Sequence, residues 1–158
     1  MFFSPELSSK DFTVCLYEYE GNKKFFVSCY LDKDKPVISN ELTRIVDSIT
    51  DSNIPALIGM DSNSHSTIWN CKDTNSRGRS LETLIFQYNM EILNKGSEPT
   101  FVSSRYSTII DLSLVIGSSK DVTSWMVNPN YQFSDHRLIE ITISMECSFN
   151  DAIKIRKN

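Results

Sequence analysis

Three short polar stretches interrupt the apolar segments of this sequence. Asp-Ser-Asn at 61–63 follows LIGM, Asp111 lies within IIDL, and Ser-Asp-His at 134–136 precedes LIEI. A carboxylate can orient or deprotonate a water molecule, and an amide or imidazole can donate to a charged oxygen. A divalent cation beside carboxylates can neutralise the charge that develops on a phosphate. If the stretches meet at one edge of a sheet, they suit hydrolysis of a phosphodiester.

Each stretch also has an ordinary structural interpretation. Asp-Ser-Asn commonly forms a turn in which the Asp or Asn side chain bonds to the backbone. Asp111 alone is equally compatible with an ion pair to an arginine, and His65 or His136 with a structural role. The order of the stretches and their position at strand boundaries favour the chemical interpretation.

The apolar pattern predicts a hairpin and a helix ahead of the first polar stretch. Residues 12–19 and 25–31 are β-branched and aromatic runs separated by a segment with a Gly-Asn pair, which indicates antiparallel strands. Residues 39–53 place apolar side chains at helical spacing, with Ser39 or Asn40 as the N-cap. An amphipathic helix packed on a sheet is expected.

The remaining pattern predicts further strands and a second helix. Residues 54–60 form a continuously apolar run that suits a strand buried on both faces and ending at Asp61. Residues 77–90 have one apolar helical face. Further strands are predicted at 90–94, 100–103, 109–116, 125–127 and 138–144. This order of elements predicts an α/β fold in which sheet packs against helices.

Length and composition restrict the class of protein. With 158 residues, 40% hydrophobic and 23% charged, the sequence fits one globular domain, expected over residues 1–147 with a polar tail at 148–158. The net charge of -4 provides no overall attraction for nucleic acid, so a polyanion would need a local basic patch or a cation. Four separated cysteines and the lack of a long apolar segment favour a reducing, intracellular location, in the cytoplasm or nucleus, with no membrane partner.

Several motifs together resemble a known superfamily. They are GMDSN, HSTIWN, TNSRGRSLETLI, PTF, STIIDLSLV and FSDHRLIEI. In this order they resemble the endonuclease/exonuclease/phosphatase superfamily, and in detail the endonuclease domains of insect-type non-LTR retrotransposons. The resemblance runs from about Phe2 to Ile143. It implies a four-layer α/β sandwich of two packed, mainly antiparallel sheets flanked by helices, and a Mg²⁺- or Mn²⁺-dependent phosphodiester hydrolase that nicks DNA.

The resemblance also implies roles for the polar residues. Asp61 would orient or activate the attacking water, and Asn63 would hold a phosphate oxygen or help to bind the metal. Asp111 would fix the tautomer and charge of His136, which would face the scissile phosphate. Asp135 would lie near the cation.

Two further residues match the family's site less completely. Tyr30, at the end of the hairpin's second strand, matches a tyrosine that lies near the phosphate, although the proline of that motif is absent. A tyrosine packed at a strand end with an exposed hydroxyl is the alternative. Ser134 would support the loop that carries the histidine.

Four residues are expected to contact DNA. Arg105 and Tyr106 occupy a hairpin position that resembles the DNA-probing element of the retrotransposon enzymes, where they would lie along a groove or form an ordinary exposed turn. Trp69 and Arg77 follow the Asp-Ser-Asn loop, where they would contact the DNA backbone or belong to a solvated helix N-terminus.

The front of the sequence departs from the family pattern. Members begin with a strand that carries an Asn, then a helix and a strand ending in Gln-Glu, whose Glu is the principal metal ligand. No such pattern precedes Phe12, and Glu6, Glu18 and Glu20 do not stand in the matching context. We therefore expect an incomplete sandwich that lacks its first strands and helix. Binding of Mg²⁺ should be weakened, because few protein oxygens would hold it.

Three functions stay open from the sequence. One is a DNA endonuclease from a mobile element, and another is a catalytically inactive fragment that binds DNA or protein. The third is a hydrolase of a phospholipid head group or an inositol phosphate, which the HSTIWN and TNSRGR motifs disfavour. No organic cofactor is expected, and the sequence does not specify the oligomeric state.

Overall fold

A computed structural model of the chain describes residues 1–128, 130 and 134–144. The strands are β1 Phe2–Phe3, β2 Phe12–Tyr19, β3 Asn22–Tyr30, β4 Ala56–Asp61, β5 Glu91–Ile92, β6 Phe101–Val102, β7 Ser107–Thr108, β8 Asp111–Ile116, β9 Val122–Asn128 and β10 Leu138–Ile143. The helices are α1 Asn40–Ser52 and α2 Ser76–Gln87. The expected polar tail at 148–158 lies outside the described residues.

A six-stranded sheet in the order β1-β2-β3-β4-β8-β5 forms the centre of the fold. Its neighbouring strands are antiparallel except for β3 and β4, which run parallel. A parallel pair needs a crossover, and α1 supplies it. This arrangement brings the ends of β3 and β4 to the same edge of the sheet.

The hairpin between β2 and β3 is tighter than the sequence pattern predicts. Glu20 and Gly21 both have positive φ, +47° and +80°, which is the backbone of a two-residue type I′ turn. Tyr19 therefore pairs with Asn22, and β3 begins three residues before the predicted strand. The polar residues at its start had suggested a longer loop.

Both helices pack on one face of the sheet. The side chain of Ser39 accepts a hydrogen bond from the Leu42 amide at 3.0 Å, which confirms the predicted N-cap of α1. Asn75 caps α2 in the same way. The apolar stripes of the two helices join one core with the sheet, and they consist of Leu42, Ile45, Val46, Ile49, Leu81, Leu84 and Ile85.

The opposite face of the sheet is covered by β9 and β10, which form a separate two-stranded sheet. Trp125 and Val127 pack against Leu57 and Val115 there, and the Trp125 indole N–H donates to the Ser113 hydroxyl at 2.9 Å. The described residues thus form three layers: helices, large sheet and small sheet. This arrangement confirms the predicted α/β class and the packing of two sheets.

The strands predicted at 100–103 and 109–116 belong to different sheets. A short strand that was not predicted, β7, pairs with β6, and β8 lies between β4 and β5 in the large sheet. The short β6-β7 hairpin is therefore a separate unit at the edge of the fold. Within the part of the chain that is described, no helix has both the length and the apolar character needed to span a bilayer.

Candidate active site

Three of the candidate residues form a row across the end of the large sheet. Tyr30 pairs with Asp61 between β3 and β4, and Asp61 pairs with Asp111 between β4 and β8. Directly paired residues project their side chains to the same face of a sheet. The row lies on the face of the large sheet that the small sheet covers. The small sheet packs there on Leu57 and Val115, which belong to the same two strands as Asp61 and Asp111.

His136 reaches this row from the segment before β10. Its Nδ1 lies 3.0 Å from both carboxylate oxygens of Asp111, and its Nε2 lies 3.8 Å from Oδ2 of Asp61. The imidazole therefore stands between two carboxylates. Among the described residues, Asp61, Asp111 and His136 are the group whose ligating atoms all lie within 4.8 Å of one another.

The two carboxylates and their burial shape the electrostatics of the site. Burial, and next the negative charge of Asp111, raise the pKa of Asp61 above its usual value. A hydrogen bond from the Asn63 amide and the charges of His136 and Arg77 oppose this rise. A divalent cation beside Asp61 would offset the repulsion, and carboxylate oxygens are ligands that Mg²⁺ and Mn²⁺ accept. The donor set fits such an ion.

Asn63 lies just beyond the row in a left-handed backbone conformation, with φ +45°, which Asn tolerates better than most residues. Its backbone N–H donates to Oδ1 of Asp61 at 3.2 Å, and its Nδ2 donates to the Leu31 carbonyl at 3.1 Å. These bonds fix the amide plane. One N–H of Nδ2 has a partner; within residues 1–128, 130 and 134–144 the second N–H and Oδ1 have none, so they are available to a ligand.

Ser134 and Asp135 lie in the loop before β10 and make mainly backbone contacts there. Ser134 Oγ accepts from the His136 amide at 3.1 Å and donates to the His136 carbonyl at 3.2 Å, which stiffens the turn. The Asp135 carbonyl accepts from the Val102 amide at 2.7 Å, while its side chain is exposed. The close ligating neighbours of Asp61 are thus Asp111 and His136, and the metal-binding roles expected of Asp135 and Asn63 stay predictions.

Trp69 does not have the position expected of a DNA contact. Its side chain has 0% exposure and belongs to the core beneath the helices. A side chain without exposed surface cannot stack on DNA, so this expectation is wrong. Its apolar bulk anchors the loop between β4 and α2.

Arg77 also does not have the position expected of a DNA contact, because its side chain is bonded to the protein itself. Its guanidinium donates five hydrogen bonds, all to backbone carbonyl oxygens. Since an arginine side chain has five N–H donors, none remains for a phosphate in this conformation. The structure therefore contradicts the expectation that Arg77 contacts DNA.

Arg105 and Tyr106 are exposed in the turn between β6 and β7. The ring of Tyr106 lies 5.6 Å from that of Phe101, and the Phe101 ring lies 5.0 Å from the imidazole of His136 in an edge-to-face arrangement. Ring contacts through Phe101 therefore connect this turn with His136 at the site. The geometry leaves both side chains open to a ligand.

Thr100 is a site residue that the sequence did not single out. It is fully buried, and its hydroxyl accepts from the amides of Ile110 and Asp111 at 3.1 and 3.0 Å. Its carbonyl accepts from the Arg137 amide at 2.7 Å. Thr100 thus joins the backbones that carry Asp111 and His136. The PTF tripeptide was the only signal, because these partners are distant in the sequence.

The fold is that of the endonuclease/exonuclease/phosphatase class. Residues 24–140 match the family model described as endonuclease-reverse transcriptase. The chain belongs to this family.

Similar proteins agree with this assignment. Over 106 residues, the chain is 35% identical to the "Retrovirus-related Pol polyprotein from type-1 retrotransposable element R1" of Bradysia coprophila; the match covers 61% of this chain and 11% of that polyprotein. The endonuclease domain of TRAS1, a telomere-specific non-LTR retrotransposon, has the same fold, with TM-score 0.84, 23% identity and coverage of 92% of this chain and 69% of that chain. An endonuclease/exonuclease/phosphatase family protein from Leptotrichia buccalis gives TM-score 0.60 and 16% identity, covering 91% and 60%.

Proposed function

We propose that this chain is a metal-dependent phosphodiester hydrolase, the endonuclease part of a non-LTR retrotransposon, and that it nicks target DNA. The observation that carries the proposal is the imidazole of His136, which bonds to Asp111 and faces Asp61 across 3.8 Å. A histidine oriented by one carboxylate and directed toward a second is suited to acid-base chemistry on a phosphate.

Asp61 orients the attacking water and accepts its proton. Its raised pKa makes it a stronger base than an exposed aspartate. Asp111 accepts the Nδ1 hydrogen of His136, so Nε2 is the ring nitrogen directed at the substrate, and in the doubly protonated imidazolium it donates to a non-bridging oxygen of the phosphate. When bound, Mg²⁺ or Mn²⁺ supplies positive charge that stabilises the charge developing on the phosphate.

Three neighbouring residues complete the proposed site. The free N–H of the Asn63 amide donates to the phosphate or its Oδ1 binds the cation, and Asp135 adds negative charge near the cation. The exposed hydroxyl of Tyr30, in the same row as Asp61, reaches the phosphate from the side of β3. The placement of Tyr30 supports this role, since paired residues share one face of the sheet.

DNA is the proposed substrate, and the β6-β7 turn is the proposed contact. Arg105 supplies a charge for the DNA backbone, and Tyr106 supplies a ring that stacks on a base or sugar. The overall charge of -4 gives no general attraction, so binding depends on such local contacts and on the cation.

A plasmid-nicking assay with Mg²⁺ or Mn²⁺ tests the proposal. Asp61→Ala and His136→Ala should each lower the nicking rate by about 10²-fold or more, and a chelator should abolish nicking. Asp73→Ala removes an acid whose side chain is 77% exposed, so it should leave the rate unchanged. Nicking that persists in both site variants would contradict the site assignment.

The alternative function is a catalytically inactive remnant that binds DNA or protein. The small ligand set favours it, because two carboxylates and one imidazole leave much of an octahedral shell to water. A protein that binds DNA in a gel-shift assay but does not nick it at millimolar Mn²⁺ would support this alternative over hydrolysis.

A further inference from the structure

Arg77 lies in the first turn of α2 and is half-buried. Its Nε donates to the Asn63 carbonyl at 2.9 Å, and its two terminal nitrogens donate to four more carbonyls. These acceptors belong to Lys33 at 3.2 Å, Lys35 at 2.5 Å, Leu31 at 3.3 Å and Ser62 at 3.2 Å.

The five carbonyls come from two loops that follow the site-bearing strands. Residues 31–35 follow Tyr30 at the end of β3, and residues 62–63 follow Asp61 at the end of β4. Two other bonds connect the same loops, from the Leu31 amide to the Asp61 carbonyl at 2.9 Å and from Asn63 Nδ2 to the Leu31 carbonyl. Arg77 lies where the loops meet.

We propose that Arg77 is a positioning residue for the row of Tyr30 and Asp61, and that it acts by fixing the two loops rather than by touching DNA. This inference rests on the proposed function, because the row has a catalytic role only if the site hydrolyses phosphodiesters. The planar guanidinium holds the Asn63 backbone in place, and through it the position of the Asn63 side chain.

Arginine is the side chain that suits this geometry. Five donors in one plane can serve carbonyls from several directions, whereas a lysine has three donors at a single point. Arg77→Lys keeps the positive charge and leaves at least two carbonyls without their partner. Arg77→Met removes the charge as well and leaves all five without it.

Arg79 provides a matched control. It lies on the same helix, is exposed, and donates from Nη1 to the Thr74 carbonyl at 3.1 Å, outside the two loops. Arg79→Met removes one positive charge close to the same place. It should therefore reproduce any general effect of charge and no effect of loop fixation.

Three measurements on the full chain test the inference: amide hydrogen exchange by residue, nicking kinetics, and DNA affinity against salt concentration. In Arg77→Lys, exchange at 31–35 and 62–63 should accelerate about tenfold or more, while amides in α1 keep wild-type protection as a check on folding. The kcat for nicking should fall about 10- to 100-fold, with KM changed much less. Arg79→Met should leave the exchange and kcat unchanged.

The salt dependence separates positioning from phosphate contact. A positioning role leaves the slope of log affinity against log salt the same in Arg77→Met and Arg79→Met. A slope that is smaller by about one unit in Arg77→Met alone, with unaltered exchange in both loops, would overturn the inference and assign Arg77 to the DNA backbone.

The two proposals can fail separately. If wild-type protein does not nick DNA but the two loops loosen selectively in Arg77→Lys, loop fixation stands and the hydrolase function fails. If wild-type protein nicks and Arg77→Lys leaves loop exchange and kcat unchanged, the inference about Arg77 fails while the hydrolase function stands.

Discussion

Asp61 and Asp111 stand directly opposite each other on the antiparallel strands β4 and β8. Like charges in such a pair destabilise a sheet, so the rest of the fold has to hold these carboxylates together. His136 bridges them on one side, and a bound cation would do so more strongly. The pairing of the two carboxylates therefore lowers the stability of the fold while it places them for the proposed reaction.

Asp61→Asn should stabilise the metal-free protein near neutral pH. Because burial and Asp111 raise the pKa of Asp61, the folded state binds the proton more tightly than the unfolded state. The stability from this group is thus complete below the ordinary aspartate pKa and is lost as pH rises through the raised value. At about pH 7 the variant should gain roughly 1 kcal/mol, or a few degrees in Tm, measured by calorimetry with chelator.

The gain in stability of Asp61→Asn should shrink toward about pH 4, because a larger fraction of wild-type Asp61 is protonated there. Asp34→Asn, which neutralises an exposed acid outside the site, is the control and should change the stability by less than about 0.5 kcal/mol. Adding Mn²⁺ should raise the Tm of wild-type protein more than that of Asp61→Asn. A variant less stable than wild type at every pH would refute the role assigned to charge repulsion.

Asp111→Asn should slow nicking while DNA affinity stays near the wild-type value. The variant keeps the shape of the side chain but lacks the negative charge that holds the Nδ1 hydrogen of His136 and stabilises the doubly protonated ring. A loss of about 10²- to 10⁴-fold in kcat is expected. Single-turnover nicking with a parallel binding titration measures both quantities, and an equal loss in affinity would argue against the orienting role.

Thr100→Val should destabilise the protein far more than its small change in shape suggests. The hydroxyl of Thr100 is the acceptor for two buried amides, those of Ile110 and Asp111, and each amide left without a partner costs about 1–3 kcal/mol. Thr100→Ser retains the acceptor and should lose much less. Urea denaturation of both variants decides between loss of hydrogen bonds and loss of packing, since the latter predicts the larger effect for Ser.

Gly78→Ala should disrupt the loop between β4 and α2. A Cβ at this position would lie 1.8 Å from the His65 carbonyl oxygen and 2.7 Å from its carbon, so the backbone would have to move. A loss of at least about 1–3 kcal/mol is expected from thermal denaturation. Gly59→Ala is the matched control, because its Cβ would meet nothing nearer than the Val27 carbonyl oxygen at 3.9 Å. Similar losses in both variants would contradict this explanation.

The sequence predicts the helices and strands better than it predicts which strands pair with each other. Periodicity located both helices and the long strands, since each pattern arises from one element with one buried face. It did not predict that β6 pairs with β7, because Ser107 and Thr108 form too short a strand to show alternation. The start of β3 was also missed, since Lys23 and Lys24 are atypical of strands.

The acids and the histidine of the site were predicted from the sequence, whereas Thr100 was missed. Asp61, Asp111 and His136 are recognisable because polar residues interrupt apolar runs, and the structure brings them together. Thr100 acts through backbone amides that no residue type reveals. Arg77 and Trp69 were assigned to DNA or to a solvated helix N-terminus because they follow the Asp-Ser-Asn loop, but their burial and hydrogen bonding depend on tertiary structure.

The row of paired residues at the end of the large sheet has a consequence for biosynthesis. Its members come from strands that emerge from the ribosome at widely separated times, and His136 arrives with the last described strand. Contacts between such distant segments form late in folding. A nascent chain should therefore be inert toward phosphodiesters until residues 134–144 have left the ribosome and joined the fold, and an opening confined to the start of β10 would silence the site without unfolding the rest.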